Sequence, residues 1–491
     1  MTAPLPSPSE TAVLLPHERA ARDRLVIGLL LVSAFVVILN ETIMGVALPR
    51  LMESLSITAS AAQWLTTAFM LTMAVVIPIT GMLLQRLNTR PVFILAMSLF
   101  SAGTLVAALA PGFPLLVVGR IVQASGTAIM MPLLMTTVMN LVPPETRGRT
   151  MGNISIVISV APAIGPTLSG LILSVLDWRW LFLSVLPISL AALALGAKWI
   201  VNVTTPTTAR IDLLSVLLSA IGFGGLVYGL SQLGEGALHP AAVPPTVPLA
   251  IGVVVILLFI WRQLVLQRED RALLDLRTLT NKTFTIATLM MAILMMAMFG
   301  AFILLPIYLQ TVLGLTTLQT GLLLLPGGLI MGLCAPPVGS LFDRYGPQPL
   351  VIPGAFLLAA SLWGLTLVTP ETSFWWLLAA HLVLSVGLAL MFTPLFTVSL
   401  GALPPHLYSH GSAMIGTTQQ VAGAAGTALF VAVMTLGSQK AATAGATATA
   451  ALTSGIATAF LYGAVISLAA VAAAFFVRKP AGEIVAGAAM H

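Results

Sequence analysis

Fourteen long apolar runs, separated by short polar stretches, occupy this chain at 25–49, 62–84, 91–110, 114–139, 151–175, 180–201, 211–233, 247–265, 283–305, 319–341, 349–368, 373–400, 411–436 and 453–477. Each approaches the roughly 20 residues that a helix needs to cross a bilayer. The runs are continuous rather than alternating, which selects helices over barrel strands. Composition points the same way. Only 7% of the 491 residues are charged and 58% are apolar, whereas a soluble domain carries about 25% charged residues. A water-facing surface cannot be built from this material, and no polar stretch is long enough to fold as a separate soluble domain. The expected fold is an all-α polytopic membrane protein with fourteen transmembrane helices. Residues 1–24 are polar and Pro-rich, and the first run is long enough to span and stay, so no cleavable signal is expected.

Orientation follows from Lys and Arg, which favour the cytoplasmic face. With the N-terminus inside, seventeen of the 21 basic residues fall on inside loops and tails, and three, Arg50, Arg179 and Lys440, fall outside. The last, Arg120, lies within a run. Both termini are therefore expected in the cytoplasm of a bacterial-type cell (inner) membrane. The net charge of +6 is spread over loops with no basic, aromatic-interleaved patch, so no nucleic-acid partner is expected. The single cysteine, Cys334, can form neither an intramolecular disulfide nor a metal cluster. It reads as a small buried hydrophobe.

An internal repeat organises the runs. The loop after run two, Gly81-Met-Leu83-Leu-Gln85-Arg86-Leu-Asn88-Thr-Arg90-Pro91, shares Gly81, Leu83, Arg86 and Pro91 with Gly339, Leu341, Arg344 and Pro349, each 258 residues later. Pro143-Pro144, Gly126 and Gly165 recur as Pro404-Pro405, Gly387 and Gly426, at an offset of 261. Runs one to six thus resemble runs nine to fourteen. The expected organisation is a six-helix bundle at 25–201, two inserted helices and a cytoplasmic linker at 202–282, and a second six-helix bundle at 283–477, with tails at 1–24 and 478–491. Parallel repeats of this kind build rocker-type transporters, whose site lies between the halves.

Of the fifteen carboxylates, fourteen belong to tails, loops or helix ends, and only Glu41 lies deep in a run. It sits about 12 Å below the outer end of helix one, and Arg120 about 9 Å below the outer end of helix four, at 1.5 Å per residue. An intramembrane charge costs about 3 kcal/mol, so such residues face the bundle interior or a cavity. Burial raises a carboxyl pKa and a nearby Arg lowers it. A carboxyl with an intermittent Arg contact can load and release a proton, and a static Glu41–Arg120 packing pair is the alternative. His381 is the one histidine within a run, and the repeat maps it onto Arg120. It is a proton-coupling candidate, or simply a ring bonded to a neighbouring helix.

These residues resemble the major facilitator superfamily, specifically its fourteen-helix drug:proton antiporter branch and the lincomycin-resistance type exporters within it. Leu39-Asn40-Glu41-Thr42-Ile43-Met44-Gly45-Val46-Ala47-Leu48-Pro49 resembles the helix-one motif, with Asn40 where Asp is usual and Gly45 where Asn is usual. The resemblance implies a proton role for the motif's carboxylate, carried here by Glu41. Gly119-Arg120-Ile-Val-Gln123-Ala-Ser-Gly126 is similar to the helix-four motif, whose Arg is implicated in proton transfer. Ala161-Pro-Ala-Ile-Gly165-Pro166-Thr-Leu-Ser169-Gly170 resembles the antiporter motif of helix five, and Gly165, Pro166 and Gly170 are gating candidates. The loop motif keeps its usual Asp and Gly only in its second copy, as Asp343 and Gly346, with Gln85 and Asn88 in the first. The resemblance implies a gate latch in which Asp343 and Arg344 carry more than Arg86.

Polar and aromatic residues within the runs are the substrate-binding candidates: Asn40, Gln63, Trp64, Gln123, Phe302, Tyr308, Gln310, Gln419 and Gln420. Met290, Met291, Met295, Met296 and Met298 form a soft, adaptable cluster. Singly, each of these is also an ordinary helix–helix contact. The expected function is proton-driven export of a hydrophobic or cationic small molecule by a monomer in the lipid bilayer, with the proton gradient in place of any cofactor or metal. Export of a native lipid or metabolite is the alternative. An enzyme would need a nucleophile–base set, a metal cluster or paired acids, and an ATP-driven pump a phosphate-cradling loop; the chain offers none of these. A non-transporting scaffold is not favoured, since no soluble domain is appended.

Overall fold

A computed structural model describes residues 16–203, 212–235 and 244–478; the side chains of Gln63 and Pro166, both candidates above, lie outside what it describes. The described residues are almost entirely helical, and fourteen of their helical stretches are long and apolar enough to cross a membrane. The helices are α1 (Pro16–Leu55), α2 (Ala59–Arg86), α3 (Thr89–Ala108), α4 (Phe113–Leu141), α5 (Arg147–Val175), α6 (Trp180–Leu183), α7 (Val185–Trp199), α8 (Leu213–Glu235), α9 (Thr246–Leu266), α10 (Lys282–Ile307), α11 (Thr317–Tyr345), α12 (Gln348–Leu365), α13 (Phe374–Gly401), α14 (Tyr408–Thr443) and α15 (Ala448–Ala474). The sixth span is the pair α6 and α7, broken at Ser184. Helix α1 begins at Pro16 and ends at Leu55, so part of the polar N-terminal stretch continues the first apolar run. An even number of crossings puts both described ends on one side, called here the tail face.

The ends of the helices carry their own stop and start signals. Thr58 caps α2 by accepting from Ala61 N, Asn281 caps α10 by accepting from Phe284 N, and Thr316 with Gln319 closes a capping box on α11. Such side chains satisfy the orphan donors of a first turn. Gly346 ends α11 at φ 80°, where glycine is favoured. Its repeat partner Asn88 is extended, at φ −64° and ψ 158°. The glycine is therefore needed in the second loop only, which explains its absence from the first.

Helices α5 and α11 form the most extensive contact of all, and α2 packs on α14 in the repeat-related way. These two seams, with smaller contacts of α4 on α14 and α5 on α13, join the repeat halves. Helix α8 packs on α9, α14 and α2, so the inserted pair covers the α2/α14 seam. Its tail-side end is clipped by Arg262, which donates to both oxygens of Asp212 at 2.6 and 2.7 Å, while Ser215 donates to the same carboxylate. The Arg262 hydrogen bonds, aided by Ser215, hold the Asp212 carboxyl far below the usual carboxylate range. Because the folded pKa is depressed, the clip contributes its full stability above the ordinary carboxylate pKa of about 3.9 and loses it only as pH falls through the folded value. Thermal melts in detergent are expected to show Asp212→Asn less stable by about 1 kcal/mol, with no change in that deficit from pH 5 to 8.

Candidate functional site

The centre of the site is Arg120, about two turns into α4 and 1% exposed. A buried guanidinium must find hydrogen-bond partners or leave the apolar interior. Arg120 Nη1 donates to Asn40 Oδ1 at 3.1 Å and to Gln123 Oε1 at 2.7 Å. Gln123 Nε2 donates in turn to Thr104 Oγ1 at 2.7 Å, and Thr104 to the Phe100 carbonyl. The Phe69 ring lies under the guanidinium, 4.1 Å from its carbon, a favourable cation–π arrangement. Among the described residues Arg120 Nε has no hydrogen-bond partner. Four helices, α1, α2, α3 and α4, thus converge on one charge. Close approach of α3 and α4 depends on Gly119, where an added Cβ would lie 2.8 Å from Ala107 N.

Among the described residues no hydrogen bond or ion pair reaches the Glu41 carboxylate. The static Glu41–Arg120 pair is therefore not what the structure holds. One residue along a helix rotates a side chain by about 100°, so Asn40 meets Arg120 while the half-buried Glu41 faces elsewhere. On the same turn Thr42 packs against Gly165 of α5, where no Cβ could fit. Around Gly170, by contrast, an added Cβ would meet nothing within 4 Å, so that glycine serves no close helix contact in this state.

His381 is buried in α13. Its Nε2 lies 3.1 Å from the Leu324 carbonyl of α11, its Nδ1 has no partner, and its ring fills the space over Gly327. The bond to a neighbouring helix is the role this geometry displays.

The substrate candidates are not brought together in one place. Asn40 and Gln123 belong to the Arg120 network. Trp64 stacks on Tyr228 of α8, ring centroids 5.8 Å apart, so its partner is the inserted pair. Tyr308 is buried with its hydroxyl donating to the Thr369 carbonyl, a link to the loop after α12. It begins a π turn, Tyr308–Val312, on which Gln310 is exposed. Phe302 is exposed on α10. Gln420 donates to Met73 Sδ across the α2/α14 seam, and Gln419 beside it is half-buried. Met290, Met291 and Met295 are core side chains, whereas Met296 and Met298 are half-buried. Cys334 is free and half-buried, more exposed than a core hydrophobe.

On the tail face the second loop motif makes a latch. The Asp343 carboxylate accepts from Gly148 N at 2.7 Å and Arg149 N at 2.8 Å, the first turn of α5. A carboxylate on the N-terminal amides of a helix is favoured by charge and by the helix dipole. Arg344 lies over the Tyr345 ring, with no ion pair among the described residues; Arg86 is half-buried at the last turn of α2. In the repeat-related place, Gln85 Nε2 donates to the His406 carbonyl at 3.0 Å. Arg147 was missed by the sequence reading. It donates to the Met139 and Val142 carbonyls and lies over the Tyr408 ring across the seam; the offset of 261 that maps it onto Tyr408 was the available signal. Deeper in, Thr393 donates to Ser155 Oγ at 2.8 Å and Ser412 to the Pro132 carbonyl. Thr393 and Ser155 each lie eight residues from the tail end of their helices, about 12 Å at 1.5 Å per residue. The halves are closed on each other along the tail side.

Fourteen apolar helices closing around a buried charged site define a multi-pass membrane transporter. A family model described as Major Facilitator Superfamily matches residues 30–427, and the chain belongs to that family. It is 42% identical over 456 residues to the MFS-type transporter YcnB of Bacillus subtilis, covering 93% of this chain and 95% of that one. It is 41% identical to the lincomycin resistance protein LmrB of Listeria monocytogenes, covering 92% and 96%. Among solved structures, the human organic anion transporter MFSD10 superposes with a TM-score of 0.66 at 15% identity, over 91% of this chain and 99% of that chain; this is a likeness of fold.

Proposed function

We propose that this transporter is a proton-coupled antiporter that exports hydrophobic or cationic drugs from the cytoplasm by alternating access. The observation that carries this reading is a fully buried, amide-held Arg120 whose partner Asn40 is followed directly by a carboxyl, Glu41, with no hydrogen-bond or ion-pair partner among the described residues. A membrane carboxyl in that position is stable when protonated and is tolerated as the anion because Arg120 stands near. When the far side opens, Glu41 takes a proton from the medium as drug leaves. When the tail side opens, it gives the proton to the cytoplasm and the cavity accepts drug. The tail face, with its basic loops, is then cytoplasmic, and the protein works as a monomer in the bacterial cell membrane. The name of the LmrB relative makes lincomycin a first substrate to try, beside a lipophilic cation.

The reading is tested with everted membrane vesicles carrying the full chain. Acidifying the lumen by respiration is expected to drive ethidium into it, and collapse of the gradient by a protonophore to release it. Accumulation that ignores the protonophore would refute proton coupling.

A further inference from the structure

The two repeat-related seams are held unequally on the tail face. At α5/α11 an anion, Asp343, grips two backbone amides. At α2/α14 the Gln85 amide donates to the His406 carbonyl. Hydrogen bonds to charged groups contribute roughly twice what neutral ones do. The seam whose latch position carries a neutral side chain is the one that carries extra structure. Residues 267–281, which join α9 to α10, lie beside it, and a cavity of about 580 Å³ between them is lined by Gln85, Arg271, Asp275, Arg277, His406 and His410, among others.

This linker is anchored at its middle by buried groups. Gln263 of α9 is fully buried. It donates to Ser215 Oγ of α8 at 2.8 Å and accepts from Leu273 N at 2.7 Å and from Leu274 N. Leu273 and Leu274 are themselves core residues. Asp275 N then donates to Nδ1 of His410, buried in the first turn of α14. The Asp275 carboxylate is held by Arg277, which also reaches Asp270. A chain of hydrogen bonds therefore runs from the Asp212 clip on α8, through Gln263 and the linker, to the base of α14, one turn from the carbonyl that Gln85 holds. Helix α8 meanwhile packs on both α14 and α2.

We propose that the inserted helices and the linker 267–281 form a strap that holds the α2/α14 seam closed on the tail face, in the place where the first repeat has Gln85 instead of the Asp343 carboxylate. The strap fastens α8 and α9 to α14, and α8 lies across the line along which α2 must part from it. Opening toward the tail face then requires α2 to slide off α8. Loosening the strap biases the transporter toward the tail-open state. The inference needs only the transporter class and holds whichever ion drives transport.

The test measures N-ethylmaleimide labelling of Ala413→Cys in a Cys334→Ser background, in membranes. Ala413 is fully buried on α14, and Gly81 of α2 faces it, so labelling reports opening of this seam. Gln263→Leu and Asp275→Pro, which removes the N–H donated to His410 at a residue whose φ of −77° suits proline, are expected each to raise the labelling rate by about fivefold, the shift that losing one net hydrogen bond from the closed state produces. Ala459→Cys, buried in α15 away from both seams, is expected to stay protected in the same variants. Unchanged labelling at Ala413→Cys in both variants would overturn the strap. So would parallel labelling at Ala459→Cys, which would mean a loosened fold.

Discussion

Vesicles carrying Glu41→Gln are expected to accumulate no ethidium above vesicles lacking the protein, whatever gradient is imposed. The amide keeps the size and hydrogen-bonding capacity of a protonated carboxyl but cannot release a proton. The carrier is then arrested in its loaded form with respect to the driving ion, while its two conformations remain accessible. Exchange of labelled for unlabelled drug across the membrane, which needs no net proton movement, is therefore expected to persist. Glu41→Asp retains the titrating group one methylene shorter and is expected to pump at a reduced rate. This triple outcome separates a coupling defect from a folding defect. Gradient-driven efflux by Glu41→Gln at the rate of the parent protein would remove Glu41 from the mechanism.

A second large effect is expected at Gly148. An alanine Cβ there would meet the Asp343 carboxylate and lie 2.5 Å from the Gly339 carbonyl and 2.6 Å from the Phe342 ring. Two of these three obstacles are a backbone group and a carboxylate pinned by two hydrogen bonds, so neither can yield without separating α5 from α11. Overpacking of this kind costs about 1–3 kcal/mol, comparable with the few kcal/mol that separate conformations of a two-state protein. Gly148→Ala is thus expected to insert normally, to lose most efflux, and to expose Ala335→Cys, buried where α11 meets Gly152 of α5, to maleimide. Gly170→Ala, which meets nothing within 4 Å, is expected to label and transport like the parent. Closed-seam protection at Ala335→Cys in the Gly148→Ala protein would show that the glycine contact is not what limits closure.

Much of the architecture was legible in the sequence because lipid leaves few options. Long apolar runs must be helices, and the boundaries of α3, α4 and α12 fall close to those expected from the runs. Glu41 and Arg120 stood out for the same reason, since a charge within an apolar run is conspicuous. Their relationship was not legible. Depth along two helices can be counted, but the angle around each cannot, and a rotation of one residue gave Arg120 to Asn40. The surroundings of the aromatic candidates were illegible in a similar way. Trp64 and Tyr308 each found a protein partner, Tyr228 and the Thr369 carbonyl, and composition does not distinguish a ring that waits for a ligand from one already occupied. The Gln85 substitution was visible as a departure from its repeat partner, but its meaning depended on Gln263 and His410, which lie far from it in sequence and carry no motif.

The partners of Arg120 have one more consequence. Asn40, Gln123, Thr104 and the Phe69 ring are all groups that neither gain nor lose a proton in the physiological range. The cradle of the buried cation therefore holds no group that titrates in that range. On the proposed coupling through Glu41, the network around Arg120 adds no second switch, so the acid limb of a transport profile is expected to follow a one-proton curve.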